Sequence, residues 1–317
     1  MAHDQQKTQK GQQVVFFNED QAREYFESRR WPNGPACVHC GSVNVIRLQG
    51  EATRPGLLKC RDCQKQFTVT VGTVMEDSHL PLAKWALAFH LMTSSKKGIS
   101  ALQLQRNLGL GSYKTAWFLA HRIREAMRCE PLAGKLKGEV QVDETYVGAD
   151  RHGKVRKADP NKPRKHGRGT DKTPVMVLVE TGGKAHSHPI ERLRSCDLKA
   201  AMEACVDPSS RIVTDELRSY PKAAKGFAGG HATVNHSAGE YVAPDGTNTN
   251  TAESFFALLK RGVHGTFHHV SPKHLPRYCD EFSFRWDGRK ASDTERRDAA
   301  VRGVEGKRLF YKAPTEQ

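Results

Sequence analysis

No stretch of the chain is apolar over anything near the roughly 20 residues that a membrane-spanning helix needs, so a membrane is the weakest of the polyanionic partners considered below. Met1 to Gln13 is polar and has no apolar core of a secretory leader, and the expected setting is cytoplasmic. Hydrophobic residues are scarce, at 37% of 317, and aromatics make up only 8%. Two windows are nevertheless rich enough to build cores, and the length predicts two or more domains. Negative charge is short as well: 35 Asp and Glu stand against 50 Lys and Arg, a formal charge of +15. Such an excess favours a polyanion, because each phosphate neutralised by a cation releases condensed counterions. Composition alone does not separate DNA from RNA. Eight cysteines in a reducing compartment point to metal binding rather than disulfides where they cluster.

Along the chain, residues 1–30 read as a polar tail and a short amphipathic helix whose apolar members are Phe16, Phe17, Ala22 and Phe26. Residues 31–75 carry turn residues and four cysteines. Residues 80–130 read as a helical cluster, with helices from about Pro81 to Thr93, from Ser100 to Gly109 and from Ser112 to Met127. Pro131, Gly134 and Gly138 mark a linker. A different pattern fills residues 138–290. Glu139 to Val147 alternates in polarity as a strand does. A basic Gly/Pro-rich loop follows over 150–172, then a strand at Val175–Val179 and a hairpin turn at Gly182-Gly183 into a third strand. Cys196–Val206 reads as a helix, Arg211–Thr214 as a strand, Ser219–Lys225 as a helix and Thr233–Asn235 as a strand. Asn250–Gly262 is a helix with Ala252, Phe255, Phe256 and Leu259 on its apolar side. Residues 291–317 read as a basic tail.

Cys37, Cys40, Cys60 and Cys63 form two pairs, each with two intervening residues, and nineteen residues lie between the pairs. Each two-residue turn aims both thiolates at one ion, which is the pattern of a tetrahedral zinc site. Gly41 supplies the tight turn after the first pair. Four sulfurs leave no open position, so one zinc ion with a structural role is expected. His39 lies inside the first turn and reads as solvent-facing or bound to phosphate.

Ser100 to Thr115 holds two short helical patterns around a Gly-containing turn, which suggests a helix-turn-helix. The second helix carries Tyr113, Lys114, His121, Arg122 and Arg124, read as groups that meet bases and phosphates. A plain bundle with a solvated basic face is the other reading. The loop cations Arg156, Lys157 and Lys165, and Arg261 near the end of the last helix, are further candidates for phosphate contact.

The catalytic candidates are three acids from different elements: Asp143 on the first strand, Asp215 closing a later strand and Glu253 on the last helix. A carboxylate trio of this kind holds two hard cations about 4 Å apart for in-line phosphoryl transfer. Oxygen ligands suit Mg²⁺ or Mn²⁺. Lys260 lies nearly two helical turns after Glu253, on the same face, where it reaches a DNA phosphate. Glu144 and Glu216 adjoin the two aspartates. Strand alternation places Glu144 on the face opposite Asp143.

Several blocks together resemble insertion-sequence transposases of the ISXO type. Gln141-Val142-Asp143-Glu144-Thr145-Tyr146-Val147-Gly148 is similar to the family's first catalytic signature, and Thr214-Asp215-Glu216 with Tyr220 to the second. Val234-Asn235-His236-Ser237, Thr249 to Ser254, Leu259 to Gly262 and Gly265 to His269 are similar to the third. Lys273-His274-Leu275, Tyr278, Glu281-Phe282 and Phe284-Arg285 extend it. The resemblance covers about residues 15–290 and includes the four-cysteine ribbon. It implies an RNase H-like α/β domain, with a mixed five-stranded sheet flanked by helices, behind a zinc ribbon and a helical DNA reader. It also implies a DDE triad, recognition of terminal inverted repeats, strand cleavage exposing a 3′-OH, and attack of that hydroxyl on target DNA. Asn248 departs from the histidine often found there, which weakens a role for that side chain. Some members use asparagine as third ligand, so Asn250 competes with Glu253. Double-stranded DNA, at the element ends and at the target, is the expected partner, bound by at least a dimer at the nucleoid of a bacterium. The alternatives are an RNase H-like nuclease that does not join, and a zinc-ribbon regulator with a non-mobile catalytic domain.

Overall fold

The computed structural model describes residues 18–128, 134–148, 172–235, 242–243 and 246–311. Phe16, Phe17 and all but the last residue of the basic loop, including Arg156, Lys157 and Lys165, lie outside the described residues. Asn18 accepts from Gln21 N and starts α1 (Glu19–Arg30), which buries Ala22, Tyr25 and Phe26. Three short strands, β1 (Val45–Arg47), β2 (Leu58–Cys60) and β3 (Gln66–Phe67), pair antiparallel in that order. Their small core is Cys37, Leu58, Cys60 and Phe67.

Helices α2 (Leu82–Ser94), α3 (Ala101–Asn107) and α4 (Tyr113–Met127) follow within two residues of their sequence limits. Ser100 caps α3 by accepting from Gln103 N, and Gly109, at φ +57°, makes the turn toward α4. These helices and α1 share one core built on Phe26, Trp85, Phe89, Met92, Leu104 and Ile123.

The catalytic-type domain is built on β4 (Glu139–Val147). It pairs antiparallel with β5 (Thr173–Glu180), which pairs antiparallel with β6 (Ala185–Pro189). After α5 (Ser195–Cys205), β7 (Arg211–Thr214) joins the other side of β4 in parallel. α6 (Tyr220–Ala223) leads to β8 (His231–Thr233), parallel to β7. The sheet order β6-β5-β4-β7-β8, three antiparallel strands and then two parallel ones, is RNase H-like. Because β4 is central, both of its faces are buried. Val140 and Val142 pack with α5 and α6, whereas Val147 and the valines of β5 pack with α7 (Asn250–Gly262) and α8 (Leu275–Asp287).

The stretch after residue 291, expected as a tail, instead carries α9 (Asp293–Arg302), which opens with a capping box between Ser292 and Glu295. Ala300, Val301 and the following Val304 enter the core of the N-terminal helices. Asp298 accepts from Tyr25 Oη at 2.6 Å and from Arg29 Nε at 2.8 Å. Helix α9 thus ties itself to α1. No described helix is long and apolar enough to cross a membrane.

Candidate active site and metal centres

The register of the sheet dictates where the first two acids meet. Val142 of β4 pairs with Thr214, the last residue of β7, so the next residues, Asp143 and Asp215, emerge side by side where β7 ends. Glu144 joins them: one carboxylate oxygen from each of Asp143, Glu144 and Asp215 lies within 4.8 Å of the other two. Glu144 does leave β4 on the face opposite Asp143, where Tyr220 packs with Val140 and Val142, yet its carboxylate still meets the two aspartates. The parallel partner strand stops one residue earlier, at Thr214 opposite Val142, so β4 has no paired neighbour on that side at Asp143 and Glu144. Tyr220 Oη donates to Glu144 Oε2 at 2.7 Å and holds it there. Leu217 N donates to Asp215 Oδ1 at 3.0 Å.

Asp143 carries the electrostatic strain of the cluster. Burial pushes its carboxyl up to about 7 and the charges of Glu144, Asp215 and Glu253 push the same way, against the hydrogen bond it accepts from Glu144 N. Tyr220 is likewise raised well above its ordinary value, by burial first and then by Glu144. Three carboxylates crowded to this degree are a site short of positive charge, as a divalent cation would supply.

Glu253 lies in the first turn of α7 and is exposed. It stands outside the 4.8 Å trio, although Asp143 feels its charge. Asn250 is the exposed first residue of the same helix. Asn248, where a side-chain role was doubted, accepts from Asn250 N at 3.1 Å just ahead of the N-cap Thr249. Sequence reasoning missed Gln141. It is 1% exposed and two residues before Asp143, hence on the same face of β4. Its Oε1 accepts from Thr251 N at 2.9 Å and Ala252 N at 3.1 Å. One side chain of the Asp143 strand thereby satisfies the free N–H groups of the Glu253 helix. The available signal was a Gln between two valines in a strand buried on both faces. Lys260 and Arg261 are exposed on the same helix, with Lys260 Nζ 5.9 Å from the Phe256 ring centroid. Helix α7 then widens into a single π turn (Val263–Phe267) that ends at His268, whose φ of +58° is unusual for a side-chain-bearing residue.

In the ribbon, one sulfur from each of Cys37, Cys40, Cys60 and Cys63 lies within 4.8 Å of the others. The Sγ atoms of Cys37 and Cys63 are 3.6 Å apart and those of Cys40 and Cys60 3.7 Å. Four sulfurs around a tetrahedral zinc, each about 2.3 Å from the ion, stand about 3.8 Å apart, so the set fits that ion. Gly41 turns the first knuckle at φ +77°. Asp62 links the two knuckles by accepting from Ser42 Oγ and Asn44 Nδ2. His39 is exposed and edges onto Phe67 rather than joining the sulfurs.

The helical segment needs a larger correction. Arg122 is 6% exposed, stacked between Trp85 and Phe118, and donates to Glu76 O. Arg124 is 2% exposed and pairs with Glu281 of α8 at 2.6 Å. Neither guanidinium is available to a phosphate in this conformation. Each is held by an acceptor and by aromatic faces that only the tertiary fold supplies. His121 is buried too, among Trp117, His274 and Tyr278, and burial pushes it down to about 2. What remains exposed is the start of α4: Tyr113 and Lys114, the latter with its Nζ 4.4 Å from the Tyr311 ring centroid.

Comparison with known proteins agrees with the geometry. Residues 17–66 match the transposase zinc-ribbon domain, and residues 135–287 match the ISXO2-like transposase domain. Over 278 residues the chain is 32% identical to an uncharacterized protein in transposable element ISH50 of Halobacterium salinarum, covering 86% of this chain and 92% of that one. Among solved structures, it is similar to a chain of the Mos1 strand transfer complex, with 13% identity over 68% of this chain and 73% of that one at a TM-score of 0.29. A pre-cleavage Mos1 transpososome gives 15% identity over 61% and 74% at 0.22. Those scores are too low to carry an argument about the site. On the two domain matches and the full-length relative, the chain belongs to the ISXO2-like insertion-sequence transposases.

Proposed function

We propose that the chain binds the terminal inverted repeats of its own element and performs metal-dependent strand cleavage and strand transfer with Asp143, Asp215 and a third ligand at the rim of the sheet. The observation that carries this reading is the meeting of three carboxylates at the end of β7, in a chain with a net charge of +15. These carboxylates would hold two Mg²⁺ or Mn²⁺ ions, which when bound would supply the positive charge that activates the attacking oxygen and stabilises the leaving oxygen of an in-line displacement. Asp143 and Asp215 each offer a carboxylate. Glu253 is the third ligand from α7, with Asn250 as its competitor, and Glu144, oriented by Tyr220, is a fourth donor at the same edge. Lys260 and Arg261 contact DNA phosphates beside the acids. Lys114 grips the backbone further out, and the loop cations Arg156, Lys157 and Lys165 grip phosphates near the metals. Zinc, held by Cys37, Cys40, Cys60 and Cys63, folds the ribbon, which buries too little apolar surface to fold well alone. At least two copies act together on DNA, at the nucleoid of the cell.

The test is a strand-transfer assay with duplexes bearing the DNA that flanks this gene, a target plasmid and Mg²⁺. Joined products that disappear with a chelator support the reading. Cleavage without joining leaves a nuclease, and binding without cleavage leaves a regulator.

A further inference from the structure

A second cluster of cations lies away from the carboxylates, where the end of α2 meets α8 and α9. A cavity of about 220 Å³ there is lined by Ser94, Ser95, Lys96, Arg285, Arg289 and Arg296, with Thr93 and Leu258 completing its wall. No Asp or Glu is among these residues. Arg285 is 6% exposed, and its Nε and Nη1 are buried without a hydrogen-bond partner among the described residues. Its Nη2 donates to Met92 O at 2.7 Å and to Glu281. Glu281, fully buried, also accepts from Arg124, so two guanidiniums share one carboxylate and a positive charge is left over in the interior. A buried donor without an acceptor is costly, and an unbalanced buried charge more so.

The carbonyl end of α2 would repel an anion, but two of the oxygens in its last turn are already taken. Met92 O is held by Arg285 and Thr93 O by Arg296 Nε at 3.1 Å. Arg296 pairs with Asp293, and Arg289 donates to Gly183 O and Trp286 O. These bonds fix the three guanidiniums around the cavity before any ligand arrives. The hydroxyl of Ser94 and the exposed ammonium of Lys96 complete a donor set with no acid on its wall, while the Ser95 hydroxyl is already given to Gly98 O at 2.6 Å.

We propose that this cavity is an oxyanion site that takes a phosphate group, with Arg285 as its buried anchor and Lys96, Arg289 and Arg296 as its rim. A guanidinium gives charge-assisted hydrogen bonds to phosphate oxygens, and Nε and Nη1 of Arg285 are the donors still without an acceptor among the described residues. The phosphate comes either from a DNA backbone or from free phosphate, and the chemistry of the site is the same for both.

The probe is inorganic phosphate, compared with sodium chloride at equal ionic strength, read by thermal melting of the full-length protein. Phosphate raises the melting temperature of the unaltered protein by several degrees through preferential binding to the folded state. Lys96→Glu, which places a carboxylate at the rim, and Arg285→Lys, which keeps a cation beside Glu281 but loses the free Nε and Nη1 donors, both lose that shift. No phosphate-specific shift in the unaltered protein, or an undiminished one in both variants, overturns the proposal. A second measurement, which alone rests on the DNA-binding reading above, follows the affinity of a labelled duplex across salt. A salt slope reduced by about one in Lys96→Glu assigns the phosphate to the DNA backbone. An unchanged slope beside a lost thermal shift assigns it to free phosphate. Failure of the unaltered protein to bind any duplex would count against the DNA reading and leave the thermal result standing.

Discussion

Gln141 Oε1 accepts the backbone N–H of Thr251 at 2.9 Å, across 110 positions of sequence. It couples the strand that carries Asp143 to the helix that carries Glu253 and Asn250. Gln141→Leu leaves the N–H groups of Thr251 and Ala252 without an acceptor, at a cost of about 1–3 kcal/mol. Stability should fall by that amount and cleavage rate by tenfold or more, because the helix that offers the third ligand loses its seat. Gln141→Glu keeps an acceptor and should retain more of both. Chemical denaturation and single-turnover cleavage on the same preparations check this. A stable, fully active Gln141→Leu would refute the coupling.

The third ligand is decided by paired substitutions on α7 and β4. Glu253→Gln should abolish cleavage in Mg²⁺, with partial return in Mn²⁺, which is less strict about its ligands. Asn250→Ala should reduce the rate less, since a carboxamide brings only a dipole to a hard cation. Glu144→Gln should fall between them, because Tyr220 holds that carboxylate at the edge of the trio. Cleavage rates across metal concentration rank the three. A dead Asn250→Ala beside a near-normal Glu253→Gln would reassign the third ligand to asparagine.

Metal binding should strengthen as pH rises through about 7, the value to which Asp143 is pushed by burial and by its acidic neighbours. An unfolded Asp titrates near 3.9, so between about pH 4 and pH 7 the metal-free folded protein binds the extra proton. This contribution to stability is present at low pH and is lost as pH rises through the folded value. A divalent cation reverses the effect by favouring the carboxylate. The rise in melting temperature on adding Mg²⁺ should therefore be larger at about pH 8 than at about pH 6. Asp143→Asn should flatten that difference, and an equal Mg²⁺ shift at both pH values in the unaltered protein would contradict it.

Arg124 and Lys114 should separate cleanly. Arg124→Ala leaves Glu281 with one of its two cations and removes a guanidinium 4.0 Å from the Tyr278 ring centroid. Arg285 still balances Glu281, so the cost is that of a charged hydrogen bond, about 1.5–3 kcal/mol, together with the lost packing on Tyr278, and it should appear in the melting curve. Lys114→Ala should leave melting nearly unchanged and weaken DNA binding with a lower salt slope. A stable Arg124→Ala that has lost only DNA affinity would restore Arg124 to the DNA face.

Most of this architecture was legible because local patterns agreed with the tertiary result. β4 was read at both of its ends, where alternation runs between Gly138 and Gly148, and α7 was read from its single apolar stripe. The four cysteines were legible because a two-residue turn fixes where both sulfurs point. What escaped was burial of charge. Arg122 and Arg124 read as a basic face because the sequence around them does not show the acceptors that hold them, Glu76 and Glu281, which arrive from other elements. Helix α9 escaped for the same reason: it docks through Arg297 and Asp298 as much as through Ala300 and Val301, so no apolar period marks it. Glu144 keeps the face that alternation assigns it, but its nearness to Asp143 and Asp215 depends on where the neighbouring strand stops, which the sequence does not show.

The central claim is that Asp143 holds a divalent cation during DNA cleavage, and replacement of its oxygen ligand by sulfur tests it most directly. A thiolate binds Mg²⁺ poorly and the softer Mn²⁺ better. Cleavage of an element-end duplex by Asp143→Cys should be lost in Mg²⁺ and regained in Mn²⁺. Cleavage by Asp143→Cys in Mg²⁺ at the rate of the unaltered protein would contradict the account.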